Sequence, residues 1–466
     1  MESFKEWAND NGIKTNGVTI ETTQYSGNGL FASSHIKENT CVVEIPESLI
    51  LTASKVLKTG DQPFLSPVYK YFMIHYELHS EEEVNSIAME QERLLLCLFL
   101  IYYQFFATSS SWTPYMRILP STDYFKDNHL FFNDFIVKGT CLETSVRAKL
   151  SVLRHELDGI KSQGSGWLSD IEWDMYVWAD CTFWSRAVGI GESEVAVEAN
   201  LALVPFFDLA NHSLDNSNIR WILTESNNLQ LVSTQDIEID QECCLSYGSK
   251  PNQELLFIHG FSIPDNPELS RATIPIARIV DPSYPFDMIK IEWLKAIGAK
   301  SFLSLMPQKV SGCDDCFIAE GWLPDSVATV YLIALSEDDD VLLSSQGKDG
   351  QPILMLNDSH GEVRDLDDLL DRVKRLDLFP VIQTRAAVLL WEAVEQCYSL
   401  NVDNDPAKLG YAEHDSAKAF LLEQAHIYRL EEQDILNKAR SWLLKTQDEF
   451  SQNEVVQAYL KAVANQ

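Results

Sequence analysis

Two polar islands set in apolar surroundings hold the residues best suited to chemistry. Asp208-Leu-Ala-Asn211-His212-Ser213 follows the apolar run Leu203 to Phe207, and Ser246-Tyr247-Gly248 closes a segment, Glu242 to Tyr247, that reads as a strand. A carboxylate, an amide and an imidazole so close together offer both donors and acceptors, enough to hold a polar ligand by directed hydrogen bonds. Taken alone, a histidine in such a place is more often a satisfied core residue.

These islands need a scaffold, and the flanking sequence supplies short strands on one side and helices on the other. Val18 to Ile20, Cys41 to Ile45, Ile219 to Thr224 and Leu229 to Ser233 are rich in β-branched residues and read as strands. Between the first two lies Gly27-Asn28-Gly29-Leu30-Phe31, either a plain hairpin turn or a place where a ligand could approach bare backbone. Apolar spacing predicts helices over Phe4 to Asn11, Glu90 to Phe106, Thr144 to Ile160 and Trp173 to Arg186. Beyond Pro264 a strand is expected over Thr273 to Val280. Helices follow over Asp365 to Leu376, Val381 to Tyr398, Ser416 to Arg429 and Glu432 to Thr446. Leu335 to Gly350 and Asn401 to Leu409 read as exposed loops.

Composition narrows the function. The 466 residues are 45% apolar and 23% charged, as in folded multi-module chains. A net charge of −33 repels nucleic acid and favours basic partners. Nine cysteines in a long chain lack the density of a secreted disulfide framework and read as reduced thiols. Met1 to Thr15 has no apolar h-region, so no signal peptide is expected. The apolar run Leu94 to Phe106 is too short to span a bilayer, which takes about 20 residues. A soluble protein of the cytoplasm or nucleus is the resulting expectation. No Walker loop, Rossmann glycine fingerprint, HExxH helix or nucleophile elbow is present, and the solitary Cys313-Asp-Asp-Cys316 falls short of a four-ligand zinc site, so no metal is expected.

Four motifs in order carry a resemblance: Gly27-Asn-Gly29-Leu-Phe31, Ser185-Arg186, Asp208-Leu-Ala-Asn211-His212-Ser213, and Ser246-Tyr247-Gly248 followed by Asn252, Glu254-Leu255-Leu256 and Gly260-Phe261. The chain resembles the SET-domain protein-lysine methyltransferases of the Rubisco large-subunit methyltransferase subgroup. Trp112-Thr-Pro114-Tyr115 resembles that subgroup's insertion signature, and Tyr428-Arg429 with Ile435-Leu436 its C-terminal helix pattern.

The resemblance implies an α+β fold with a β-rich SET core, a helical insertion and an all-helical C-terminal substrate-binding domain. Its parts would be residues 1–51 and 176–265 for the core, 52–175 for the insertion and 266–466 for the C-terminal domain. It implies S-adenosyl-L-methionine as cofactor, held by the Asn28, Gly29 and Leu30 backbone, by Arg186, Asp208, Asn211 and His212, and by Phe261 packing beside it. Tyr247 stands at the catalytic position and also touches the cofactor. Ser246 and His259 would line the channel for the substrate lysine. The implied substrate is a basic protein, a ribosomal protein or translation factor, with the enzyme a monomer. A protein-histidine methyltransferase, a histone lysine methyltransferase and a non-catalytic SET-fold adaptor stay open. His259 replaces the usual aromatic residue before the last Gly-Phe, leaving the number of methyl groups transferred open.

Overall fold

The computed structural model describes all residues except 24–26, 191–200, 338–341, 347–351, 358–360, 411–415 and 465–466. Its β-structure is a set of small sheets. One antiparallel sheet of four strands runs in the order Lys14–Thr15, Cys41–Ile45, Leu229–Ser233, Ile219–Leu223, and a three-stranded sheet orders Leu51–Thr52, Leu201–Leu203, Val188–Gly189. Val18–Thr22 pairs with Asn28–Ala32, so Asn28 opens a strand opposite Thr22 instead of forming the tip of a two-residue turn. The Thr23 amide donates to the Gly27 carbonyl at 2.6 Å, and residues 24–26 between them lie outside those described.

The β-branched strands match expectation within a residue or two, because Cys41–Ile45 and Leu229–Ser233 are largely buried, which selects the β-branched and apolar residues that made them legible. Glu242 to Tyr247 differs. It makes isolated bridges, Phe31 with Glu242, Ser217 with Cys244 and His212 with Leu245, in place of a continuous ladder. The segment lies between two others: the Cys243 amide donates to the Leu30 carbonyl at 2.7 Å, and the Leu245 amide to the Asn211 carbonyl at 2.8 Å. Switching partner every residue or two breaks the ladder and joins the two polar islands.

The helices Glu92–Ile101, Cys141–Gln163 and Trp173–Arg186 pack beside the sheets, and the first continues as a π turn over Tyr102–Phe106. The α+β class holds, with a predominantly helical C-terminal region. That region is not all-helical, however. Ala272–Pro275 pairs with Phe302–Leu305, and Leu342–Gln346 with Pro352–Leu356. The second pair replaces the loop expected near residue 345; the Leu-Leu-Ser-Ser-Gln strand pairs with the next strand in sequence, from Leu342 opposite Leu356 to Gln346 opposite Pro352, and its serines and glutamine gave it the polarity of a loop. Asn401 is fully buried within the helix Phe379–Asp403, which runs on where a loop was expected.

The two last predicted helices are one, Ala419–Ser451. It spans two hydrophobic cores. Leu421, Ala425 and Tyr428 pack into the core of the strands and first helices, while Ile435, Leu436, Ala439 and Leu443 join the core of the C-terminal region. No helix among the described residues is long and apolar enough to cross a membrane.

Candidate active site

The helix Trp173–Arg186 delivers Ser185 and Arg186 at its C-terminal end. Phe206 holds φ +75° immediately before the 3₁₀ turn Phe207–Leu209, a conformation costing a non-glycine residue about 1–2 kcal/mol. The turn sinks Asp208 below the surface. Its carboxylate has no exposure and faces Arg186 at 3.3 Å; the Arg186 Nη1 also donates to the Asp208 carbonyl at 2.7 Å. Tyr115 donates its hydroxyl to Asp208 Oδ2 at 2.8 Å. Burial raises the Asp208 carboxyl above its ordinary value, opposed by Arg186 and by the Tyr115 hydrogen bond.

Asn211 and His212 follow, each fixed from the second island. Asn211 Nδ2 donates to Glu242 Oε1 at 2.7 Å. The Tyr247 amide donates to His212 Nδ1 at 3.0 Å, so Nδ1 is the acceptor and Nε2 carries the proton of the neutral ring. Burial lowers the His212 pKa and favours that neutral form. Gly29 lies against this pair: a Cβ there would meet Glu242 Oε1 at 2.6 Å and Asn211 Nδ2 at 3.0 Å. Only glycine lets the strand Asn28–Ala32 come so close.

Four rings then converge. His212 stacks on Tyr247 at 5.0 Å; His259 lies 5.0 Å from Tyr247 and 5.9 Å from Phe261, and Phe261 lies 6.2 Å from His212. The helix Asn252–His259 presents His259, and Gly260 ends it at φ +78°. A side chain at Gly260 would strike the Asn128 carbonyl at 2.7 Å, so this turn needs glycine for both reasons. A His259 ring nitrogen bonds the Ser185 backbone, while burial, chiefly, with help from Lys250, pushes the imidazole pKa down to about 3. Tyr247 donates its hydroxyl to the Ala210 carbonyl at 2.9 Å. Burial raises its phenol pKa, so the proton stays on oxygen at neutral pH.

Arg186, Asp208, Asn211, His212, Tyr247, His259 and Phe261 line one cavity of about 330 Å³. A second, of about 370 Å³, is walled by Val188, Phe207, Ala210, Trp221 and Ile258, with Ser246 also present. Ser185, Arg186, Asp208, Tyr247 and His259 belong to both and form the partition between them. Asn28, Gly29 and Leu30 are not among the lining residues of either; Gly29 approaches through Asn211, and the Leu30 carbonyl is taken by Cys243. A larger cavity of about 500 Å³ beside Leu142, Phe257 and Met306 contains none of the four rings.

Sequence reasoning missed several contributors. In the sequence Tyr115 stands out only within the Trp112-Thr-Pro114-Tyr115 signature, although its buried hydroxyl fixes Asp208. Glu242 carried no local signal, and Phe420 and Gln424 reach the first cavity from more than 150 residues downstream. Cys313 and Cys316 are free and partly buried; among the described residues no group of three or more His, Cys, Asp or Glu could hold a metal.

Residues 27–248 match the family model of the SET domain. The chain is 26% identical over 238 residues to the ribosomal lysine N-methyltransferase set10 of Schizosaccharomyces pombe, covering 48% of this chain and 41% of that protein. To SET domain-containing protein 4 of Mus musculus it is 23% identical, covering 59% and 60%; to the actin-histidine N-methyltransferase of Rattus norvegicus it is 24% identical, covering 56% and 42%. The chain thus matches less than two thirds of each of these relatives. Structural similarity reaches further: the SET domain of LSMT with lysine and AdoHcy superposes with a TM-score of 0.67 at 18% identity, over 97% of this chain and 93% of that one. Rubisco LSMT with AdoMet gives 0.65 at 19% identity over the same shares. The chain carries a SET domain at residues 27–248, and as a whole it has the fold of the Rubisco LSMT structures.

Proposed function

We propose that this protein transfers methyl groups from S-adenosylmethionine to a lysine of a basic protein, with a ribosomal protein or translation factor as substrate. The observation that carries the reading is the shared partition: a polar cavity and an apolar one meet at Tyr247 and His259. Two reactants entering from opposite sides would face each other there, and such alignment is worth roughly 7–11 kcal/mol of barrier.

The polar cavity fits the cofactor. His212 Nε2, Arg186 Nε and Asp208 Oδ1 are buried without a hydrogen-bond partner, and a ligand with charged and polar ends would satisfy such groups. Arg186, Asn211 and His212 would hold it, with Phe261 packed against it. When bound, S-adenosylmethionine supplies a methyl group on a sulfonium.

The apolar cavity fits the amine. Lysine attacks only as the free base, and with an ordinary pKa of about 10.4 it carries a proton at pH 7. Walls of Val188, Phe207 and Trp221 disfavour the ammonium form, and the carboxylates in the lining, Asp208 and Glu254, are already paired with Arg186 and Lys250. The Tyr247 hydroxyl and the Ala210 carbonyl place two oxygens at the partition. They can orient the amine and stabilise partial positive charge on a passing methyl group.

Relatives that methylate actin histidine support a second reading, the same transfer to an imidazole. For either acceptor, Tyr247→Phe is expected to lower kcat by about 10²–10³ and to leave calorimetric binding of S-adenosylhomocysteine unchanged. Normal turnover by the variant would remove Tyr247 from the mechanism.

A further inference from the structure

The polar cavity has a wall from an unexpected quarter. Phe420 and Gln424, in the first two turns of the helix Ala419–Ser451, line it beside Phe261, Ser262 and Ile263. Several bonds fix this wall. The Ser262 amide donates to Gln424 Oε1 at 2.8 Å; Asn252 takes the Ile263 amide on Oδ1 at 2.7 Å and gives Nδ2 to the Ile263 carbonyl at 2.9 Å and to Glu431 Oε2 at 3.0 Å. Lys418 lies 3.8 Å from Asp127, tying the start of the helix to Thr122–Asn128, whose Phe125 and Asn128 also line the cavity.

One group in this wall is unaccounted for. The Ser262 hydroxyl, on a residue 6% exposed, is buried without a partner. Gln424 uses its oxygen on the Ser262 amide, which leaves its amide hydrogens as donors. An aromatic face, a hydroxyl and an amide donor around one end of a cavity suit a flat heterocycle edged with nitrogen acceptors.

We propose that the long C-terminal helix is part of the cofactor site. Phe420 packs on the heterocyclic base of S-adenosylmethionine, and Gln424 and Ser262 hydrogen-bond its edge. This rests on the cofactor reading above. The same helix is built into the C-terminal core through Leu436 and Leu443, which fixes the position of this wall.

The test is calorimetry of the full chain with S-adenosylhomocysteine. Base stacking on an aromatic ring predicts about a tenfold or greater loss of affinity in Phe420→Leu, which keeps apolar bulk and loses the flat face. Gln424→Glu keeps an acceptor for the Ser262 amide but has no donor, and should weaken binding about tenfold as well. Leu430→Ala, on an exposed face of the same helix, should bind as the parent does. Parent-like affinity in both Phe420→Leu and Gln424→Glu overturns the proposal, as does equal weakening by Leu430→Ala, which would indicate general loosening. Melting temperatures within a few degrees of the parent show that each variant is folded; if Phe420→Leu melts early, Gln424→Glu decides. Absence of binding by the parent chain would instead defeat the cofactor reading itself.

Discussion

His259 links the chemistry of the site to its stability. In the unfolded chain its imidazole titrates near pH 6.5, while burial in the ring cluster lowers the folded value to about 3. Between those values the unfolded state binds more protons. The contribution of neutral His259 is therefore complete above about pH 6.5 and falls, by at most about 1.4 kcal/mol per pH unit, as pH drops toward 3. His259→Phe removes this proton linkage, so urea unfolding at pH 7 and pH 5 should show a smaller acid loss for the variant; equal losses would mean that His259 does not titrate this way. Legibility at this scale followed locality. Asp208, Asn211, His212 and Tyr247 stand in compact motifs, and all line the same cavity. Tyr115 and Glu242 act on those residues from distant segments, through contacts that only folding creates.

Helices were largely visible: in Cys141–Gln163 apolar spacing coincides with one-sided burial, and Trp173–Arg186 is an apolar run buried on every face from Tyr176 to Phe183. The long helix Ala419–Ser451 was read as two because its middle is polar: Arg429, Glu431, Glu432 and Gln433 look like a solvated break. Arg429 and Glu432 are instead buried. The Arg429 guanidinium donates to the carbonyls of Ile136, Lys138 and Asn401, and Glu432 accepts from the Cys141 amide, Asn401 and Tyr428. Buried charge is tolerated there because hydrogen bonds replace water on each side. The crossing is tight: a Cβ on Gly139, at φ +79°, would sit 2.2 Å from the Leu400 carbonyl. Gly139→Ala should therefore destabilise the protein by about 2–4 kcal/mol through strain and overpacking, measured by chemical denaturation. A loss below about 0.5 kcal/mol would show that the crossing yields easily.

For the molecule as a whole, the −33 charge and the two meeting cavities both bear on the proposed substrate. On the proposed reading, in which this charge gathers a basic substrate, KM should rise several-fold between about 50 and 300 mM salt, with kcat little changed, since exposed charge attraction is screened over about 10 Å at 0.1 M. A salt-independent KM would assign recognition to shape and apolar contact instead. The overall class was legible from motif order, whereas the pairing of Ala272–Pro275 with Phe302–Leu305 and the reach of Phe420 into the cavity depend on residues far apart in sequence. What reaches Tyr247 as methyl acceptor decides the function. This is tested most directly by incubating the full chain, and its Tyr247→Phe variant, with methyl-labelled S-adenosylmethionine and extract from cells lacking the protein, then mapping the label by mass spectrometry. The expected result is label on a lysine of a basic protein with the parent chain and none with the variant. Label on a histidine, or equal labelling by both chains, would contradict it.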